Sequence, residues 1–533
     1  MSPKSAKRSS PPFDRTQGLR INYNLPEIEN RLEKFIYDVE NESRLVRAGL
    51  KEKAETVKIY QKYKDLFSRE VLEVVKNQID QTRGSSSLFG GSSDSRRNRE
   101  VRLEILERIY FTLVSGIIGF KTANLDDAIK TYFSKAKVKI DSEELAYFQL
   151  SPKIAKEPIF IKREKYDDSA EKVIVKINPK QLAVLQEEIR ILKSLGFSGY
   201  LNYYSQAKKV DYADFFQIVQ KIKKETDNLW EKTMSKVSQE IFGKPFKNIR
   251  ACHLLYLRSM SLYDNFYPKE KVVAVFLEFT KGLGLFDLLS TVNIDDKNRP
   301  SKNPRAWCSW PKPPEEVHLQ IKPIGGEQDF EAMLHEGGHA LHGAGIFKSL
   351  PFAFRNISRS NALTETYAFI LEDLVFDPLW LSSFLNVSAY TAERIKKHAY
   401  FVNLMLLRRY LGKFSYEYEM FSKAELFKGP SLYAKNLQST TGFVSQKTNW
   451  LWDMDSGFYS ADYLRAWIGA AQLKDHLIKR FGKKWFLNKK AGKFWRSLFA
   501  RGISDELEEV VARLDYKPFD ISFLIKGYKE VLD

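Results

Sequence analysis

The chain is poor in cysteine: Cys252 and Cys308 are the only two in 533 residues. That excludes a disulfide framework and a four-cysteine zinc site, and it points to a reducing compartment. Glycine (27) and proline (19) are too scarce for a collagen-like or low-complexity chain. Long apolar runs are missing too. The longest, Ile109 to Phe120, is about half of the roughly 20 residues a membrane-spanning helix needs, and Arg108 and Lys121 close it. Met1 to Leu19 carries Lys4, Lys7, Arg8, Pro11 and Pro12 where a secretory leader has its apolar core. The expectation is a soluble, cytoplasmic protein with no membrane partner.

What the chain does have is apolar residues enough for a large core, 43%, and an excess of base. The 85 Lys and Arg outnumber the 67 Asp and Glu by 18. Such a balance raises nucleic acid as a partner. The bases are interleaved with acids, however, as in Lys51-Glu52-Lys53 and Lys223-Lys224-Glu225, and no RNA-binding signature, paired-cysteine finger or basic zipper accompanies them. Solvated helix faces explain most of the charge.

Residues 1–22 read as a disordered basic tail. From Pro26 the pattern turns helical, with Leu32, Phe35, Ile36 and Val39 on one face and Tyr60, Tyr63 and Phe67 continuing the stripe. The Gly- and Ser-rich stretch 84–95 reads as a flexible loop. Two short alternating runs, Ile159–Arg163 and Val173–Ile177, read as a β-hairpin, and Asn178-Pro179 returns the chain to helix. Residues 180–290 are helical in pattern, 293–304 a loop, and Val317 to Ile321 a strand. The reading is a mainly α protein with a helical N-terminal lobe (23–245) and a C-terminal lobe (246–533) that holds one short sheet.

Three of only seven histidines fall in His335-Glu336-Gly337-Gly338-His339-Ala340-Leu341-His342. On a helix, His335 and His339 lie one turn apart on one face, where a single tetrahedral Zn²⁺ takes both imidazoles. Glu336 is then placed to take a proton from the metal's water. Gly337 and Gly338 each cost about 1 kcal/mol relative to Ala inside a helix, and close approach of another backbone or a substrate would account for them. A third ligand is still needed, and a carboxylate on a following helix is the natural candidate. Asn361 caps a helix carrying Glu365 and Glu372, which share an apolar face with Phe369. Glu365 is the expected ligand, because a carboxylate on such a face needs a partner. Glu372 fits either a hydrogen bond to the free ring N–H of a zinc-bound histidine or a surface salt bridge. His342 is near enough to meet substrate or a neighbouring polar group, or else simply packs. Cys308 and His253 read as core residues, and His398 and His476 as surface.

These residues resemble the oligoendopeptidase F and thimet oligopeptidase family of zinc peptidases: His335-Glu-Gly-Gly-His339-Ala-Leu-His342, then Thr364-Glu365-Thr, then Glu372. The approach is similar as well, through Ala306-Trp307-Cys308, His318-Leu-Gln-Ile, Gly325-Gly326 and Phe330-Glu331. The resemblance is strong over about residues 300–380 and weaker to about residue 480. It implies a two-lobed helical fold with a deep channel, one zinc ion, a short sheet beside the zinc helix that binds extended substrate, and a preference for short peptides. It also implies tyrosines on a late helix that stabilise the oxyanion, here Tyr459 or Tyr463. The segment departs from the family in carrying Asp453 or Asp455 where many members have a histidine, and Arg465 follows.

The function expected is therefore a zinc metallopeptidase in which His335, His339 and Glu365 hold the metal, Glu336 is the general base and a tyrosine serves the oxyanion. One alternative is a carboxypeptidase or dipeptidase in which Arg465, Arg355 or Arg359 clamps the substrate carboxylate. Another is a basic helical nucleic-acid-binding protein with a structural zinc.

Overall fold

The computed structural model describes residues 24–84 and 93–533. The basic tail and most of the Gly/Ser-rich stretch lie outside the described residues. The elements that position the site are α1 (Leu25–Arg47), α2 (Arg69–Gly84), α3 (Ser93–Lys135), β1 (Lys137–Ile140), β2 (Glu143–Ala146), α4 (Phe160–Ser194), α5 (Tyr200–Lys208), α6 (Tyr212–Phe242), α7 (Val272–Leu283), β3 (Val292–Asp295), β4 (Trp307–Lys312), β5 (Glu316–Gln320), α8 (Glu327–Gly345), α9 (Ala362–Glu372), α10 (Ala389–Ser422), α11 (Tyr459–Phe481) and α12 (Leu507–Arg513). The fold is predominantly helical, with one two-stranded and one three-stranded sheet among the described residues. No helix there is long and apolar enough to cross a membrane.

Local signals set many boundaries. Asn24 accepts the Glu27 N–H at 3.0 Å, Pro26 sits in the first turn of α1, and Arg44 and Arg47 occupy its last turn. Asp211 accepts the N–H groups of Ala213 and Asp214, and Gly243, at φ +65°, closes α6 in the left-handed region. Asn361 stands at the N-cap of α9, but its side chain makes no cap bond. Its backbone N–H instead donates to Asp462 Oδ2 of α11 at 3.1 Å.

Two expectations are corrected. Residues 159–177 form no hairpin, for α4 runs straight through them. Val173, Ile174 and Ile177 are buried while Val175 is 49% exposed, which is helical spacing; five-residue runs are too short to separate a period of 2 from one of 3.6. The hairpin lies earlier, where β1 and β2 pair antiparallel with Val138 opposite Leu145 across a turn with Asp141 at φ +55°. The second concerns 293–304, which is not all loop. Val292 and Ile294 alternate with Asn293, and β3 pairs in parallel with β5. The sheet order is β3-β5-β4, so β4 is an edge strand.

Among the described residues the main apolar core runs from α1 to the last helix, and a second, smaller cluster gathers Phe133, Leu145, Val173 and Ile177 around the β1–β2 hairpin. The main core is cross-tied by a chain of buried ions. Arg359, before α9, pairs with Glu104 and Glu107 of α3 at 2.6 Å each. Arg108 bonds Glu104, Glu506 and the Ile357 carbonyl. Arg465 of α11 grips Glu508 of α12 with two bonds of 2.8 and 2.7 Å, and Lys208 of α5 meets Asp462 at 2.7 Å. These pairs fasten α9 and α11 to the N-terminal helices.

Candidate metal centre

Helix α8 starts behind Gly325 and Gly326, at φ +101° and +104°, with Asp329 accepting the N–H groups of Ile324 and Gly325 at 2.8 and 2.6 Å. The two glycines inside it are contact surfaces. A Cβ on Gly337 would lie 2.4 Å from the Phe276 ring of α7, and one on Gly338 would lie 2.9 Å from the Ala368 Cα of α9. The close approaches that the glycines imply are thus to helices, and the helix packed against Gly338 is the one bearing Glu365.

His335, His339 and Glu365 each aim a ligand atom at one point, the three lying within 4.8 Å of one another. Glu365 Oε2 is 3.4 Å from His335 Nε2 and 3.8 Å from His339 Nε2. It is buried and has no hydrogen-bond partner. A buried, ionised carboxylate oxygen left bare is unfavourable unless a cation takes it. Burial alone would raise the Glu365 carboxyl; the two imidazoles and the Tyr459 hydroxyl overrule it and hold it at about 2. Both histidine side chains keep 17% and 16% of their surface exposed, so one side of the cluster stays open. Two imidazoles and a carboxylate around an open position suit a divalent metal such as zinc.

Glu372 lies behind the cluster, its Oε2 taking the His335 Nδ1–H at 2.6 Å. Burial opposes charge on His335, but Glu365 and Glu372 on its two nitrogens raise its pKa well above the usual 6.5. The bond to Glu372 leaves Nε2 as the nitrogen facing Glu365, the orientation a metal ligand needs. Glu336 is held from the sheet: the Cys308 N–H of β4 donates to its Oε2 at 2.8 Å. The edge strand and α8 thus meet at Glu336.

Tyr459 donates to Glu365 Oε1 at 2.5 Å. Tyr463, one turn on, sets its ring 4.8 Å from that of Tyr459 and packs with Phe369, Tyr410 and Trp467. Of the two tyrosines, only Tyr459 hydrogen-bonds one of the three clustered residues. His342 does not reach the cluster. It is fully buried, 3.0 Å from the Gly502 carbonyl and ringed by Trp310, Tyr367 and Phe499, and burial pushes its pKa down to about 4. It is a neutral core histidine.

Arg465 is committed to Glu508, Ser360 and Asp462. Arg359 is taken by Glu104 and Glu107, and Arg355 by Glu33 and the carbonyls of Leu350 and Pro313. No free guanidinium remains among these three to clamp a substrate carboxylate. His253 accepts from Arg163 Nε at 2.8 Å and stacks on Phe160, a satisfied core residue. His398 and His476 are half-buried rather than on the surface. The residue that sequence reasoning overlooked is Asp462, which ties α9, α5 and α11 together; its one visible signal is an acid amid the aromatic Tyr459–Trp467 run.

No protein-family model and no curated protein matches the sequence. Solved structures do. PZ peptidase A with an inhibitor bound superposes with a TM-score of 0.67 at 15% identity, over 95% of this chain and 91% of that one. A protein assigned to oligoendopeptidase F gives 0.67 at 15%, over 96% and 93%. A Bacillus anthracis protein with the same assignment gives 0.58 at 15%, over 96% of both chains. The chain therefore has the fold of PZ peptidase A and the oligoendopeptidase F structures over nearly its whole length.

Proposed function

We propose that the protein is a zinc-dependent metallopeptidase of the oligoendopeptidase F kind, hydrolysing peptide bonds in short peptides. The observation that carries this is the bare, buried Glu365 Oε2 between two imidazole nitrogens, with Glu336 beside them on the same helix. His335, His339 and Glu365 would hold a zinc ion, which would supply Lewis acidity toward a scissile carbonyl and a water.

The chain's own groups do the rest. Glu336, fixed through Oε2 by the Cys308 N–H, keeps Oε1 to accept the water's proton and pass it to the leaving amine. The Tyr459 hydroxyl leaves Glu365 Oε1 and donates to the oxyanion as charge builds there. Glu372 holds the His335 ring in its tautomer. Edge strand β4 offers backbone to an extended peptide. A two-lobed shell, 23–245 over 246–533, with the metal in a deep channel, would limit substrates to short peptides.

An endopeptidase is favoured over a carboxypeptidase built on Arg465, Arg355 or Arg359, since all three are engaged. The test is metal content with peptide cleavage, before and after a chelator. One zinc per chain and chelator-sensitive cleavage are expected. Zinc content unchanged in Glu365→Gln would remove Glu365 from the site, and cleavage that survives full metal removal would sink the reading.

A further inference from the structure

We propose that Arg47, at the inner end of α1, binds a carboxylate of the peptide substrate next to the scissile bond; this rests on the peptidase reading above. The guanidinium carbon of Arg47 lies 4.8 Å from the centre of the Trp307 ring. Trp307 precedes Cys308, whose N–H holds Glu336. Arg47 therefore stands at the edge strand beside the proposed base, although it lies almost 290 residues earlier in the chain.

Its state is unusual for this protein. Arg108, Arg359, Arg408 and Arg465 are buried, and each has a carboxylate in hydrogen-bond contact. Arg47 is half-buried, its pKa lowered by that burial, and it has no hydrogen bond or ion pair from its side chain to any described residue. Glu336 and Glu40 pull on it only at a distance, and Arg305, exposed nearby, adds to the positive field. Glu40, two turns earlier on the same helix face, is half-buried and also forms no ion pair with it. Its unpaired guanidinium nitrogens reach the surface and are open to an incoming carboxylate. The contact with the Trp307 ring steadies the side chain without using its forked donors, which suit a carboxylate.

The carboxylate has two sources in a short peptide, the free C-terminus or an Asp or Glu side chain. Full-length, zinc-loaded Glu336→Gln protein keeps peptides uncut and allows binding to be read by calorimetry. Matched peptides with a free or amidated C-terminus, and with Asp/Glu or Asn/Gln inside, form the two arms. Adding Arg47→Met, which keeps a stem over Trp307, should weaken the carboxylate peptides of one arm by about 10- to 100-fold. Neutral partners should stay within about twofold, and Arg47→Lys should recover part of the loss. The responding arm names the source. In the active enzyme the same change should raise KM for those peptides alone. Equal loss on charged and neutral peptides, no loss on either, or a uniform fall in kcat would overturn the proposal. A wild type that cleaves nothing, while binding still depends on Arg47 and carboxylate, would sink the peptidase reading and leave this one standing.

Discussion

Gly338→Ala tests the geometry of the metal cluster without touching a ligand. The substitution adds a methyl group aimed at the Ala368 Cα, 2.9 Å away, with Ala368 N and the Tyr367 carbonyl at 3.4 Å. Backbone atoms cannot rotate aside, so α8 and α9 must part by roughly 0.5–1 Å to restore ordinary contact, at the ~1–3 kcal/mol typical of overpacking. Alanine returns about 1 kcal/mol of helix propensity. Net loss of stability is then small, about 0–2 kcal/mol. The metal site has no such compensation. Glu365 rides on α9 and both histidines on α8, and ligand distances tolerate only about 0.2 Å. Zinc affinity, measured by chelator competition, should fall at least about tenfold while the metal-free protein melts close to wild type. Wild-type affinity in Gly338→Ala would refute the argument that the α8–α9 contact sets the cluster.

Glu336→Gln should keep its zinc while peptide hydrolysis falls by roughly 10²–10⁴; turnover within about threefold of wild type would exclude Glu336 as the base. Tyr459→Phe should lower kcat by roughly 10²–10³ with little change in KM, and Tyr463→Phe, whose hydroxyl stands one step back, should do less; the reverse ranking would hand the oxyanion to Tyr463. Acid stability should depend on Glu104. Burial favours its neutral form, but Arg359, Arg108 and Lys209 hold its carboxyl at about 2 against an ordinary 4.5. A depressed folded pKa stabilises above the unfolded pKa, and that stability disappears as pH falls from 4.5 through 2. At 1.36 kcal/mol per unit the contribution is up to about 3 kcal/mol. Glu104→Gln should flatten the acid-side loss in metal-free protein, and an unchanged acid slope would count against the ion chain.

The sequence alone determined whatever one helix or one strand decides. A spacing of four on a helix puts His335 and His339 on one face wherever the helix goes, and two adjacent glycines announce a close neighbour without naming it. Alternation with β-branched residues located β5, and apolar spacing located most helices. The same local reading misplaced the hairpin, because runs of five residues carry too few periods to choose between strand and helix. Tertiary structure decided everything that depends on distant partners. His342 follows His339 by three residues, and only Phe499, Tyr367 and Trp310, from separate elements, make it a core residue. Arg465 resembles a substrate clamp until Glu508 takes its fork. Glu365 and Glu372 share a helix face, and it is the crossing of α8 and α9 that sets one on the Nε2 side of His335 and the other on Nδ1. Arg47 carries no motif at all. Its position beside Glu336 comes from α1 lying along β4, a contact between chain segments 260 residues apart, where only long-range packing chooses which charges stay unpaired.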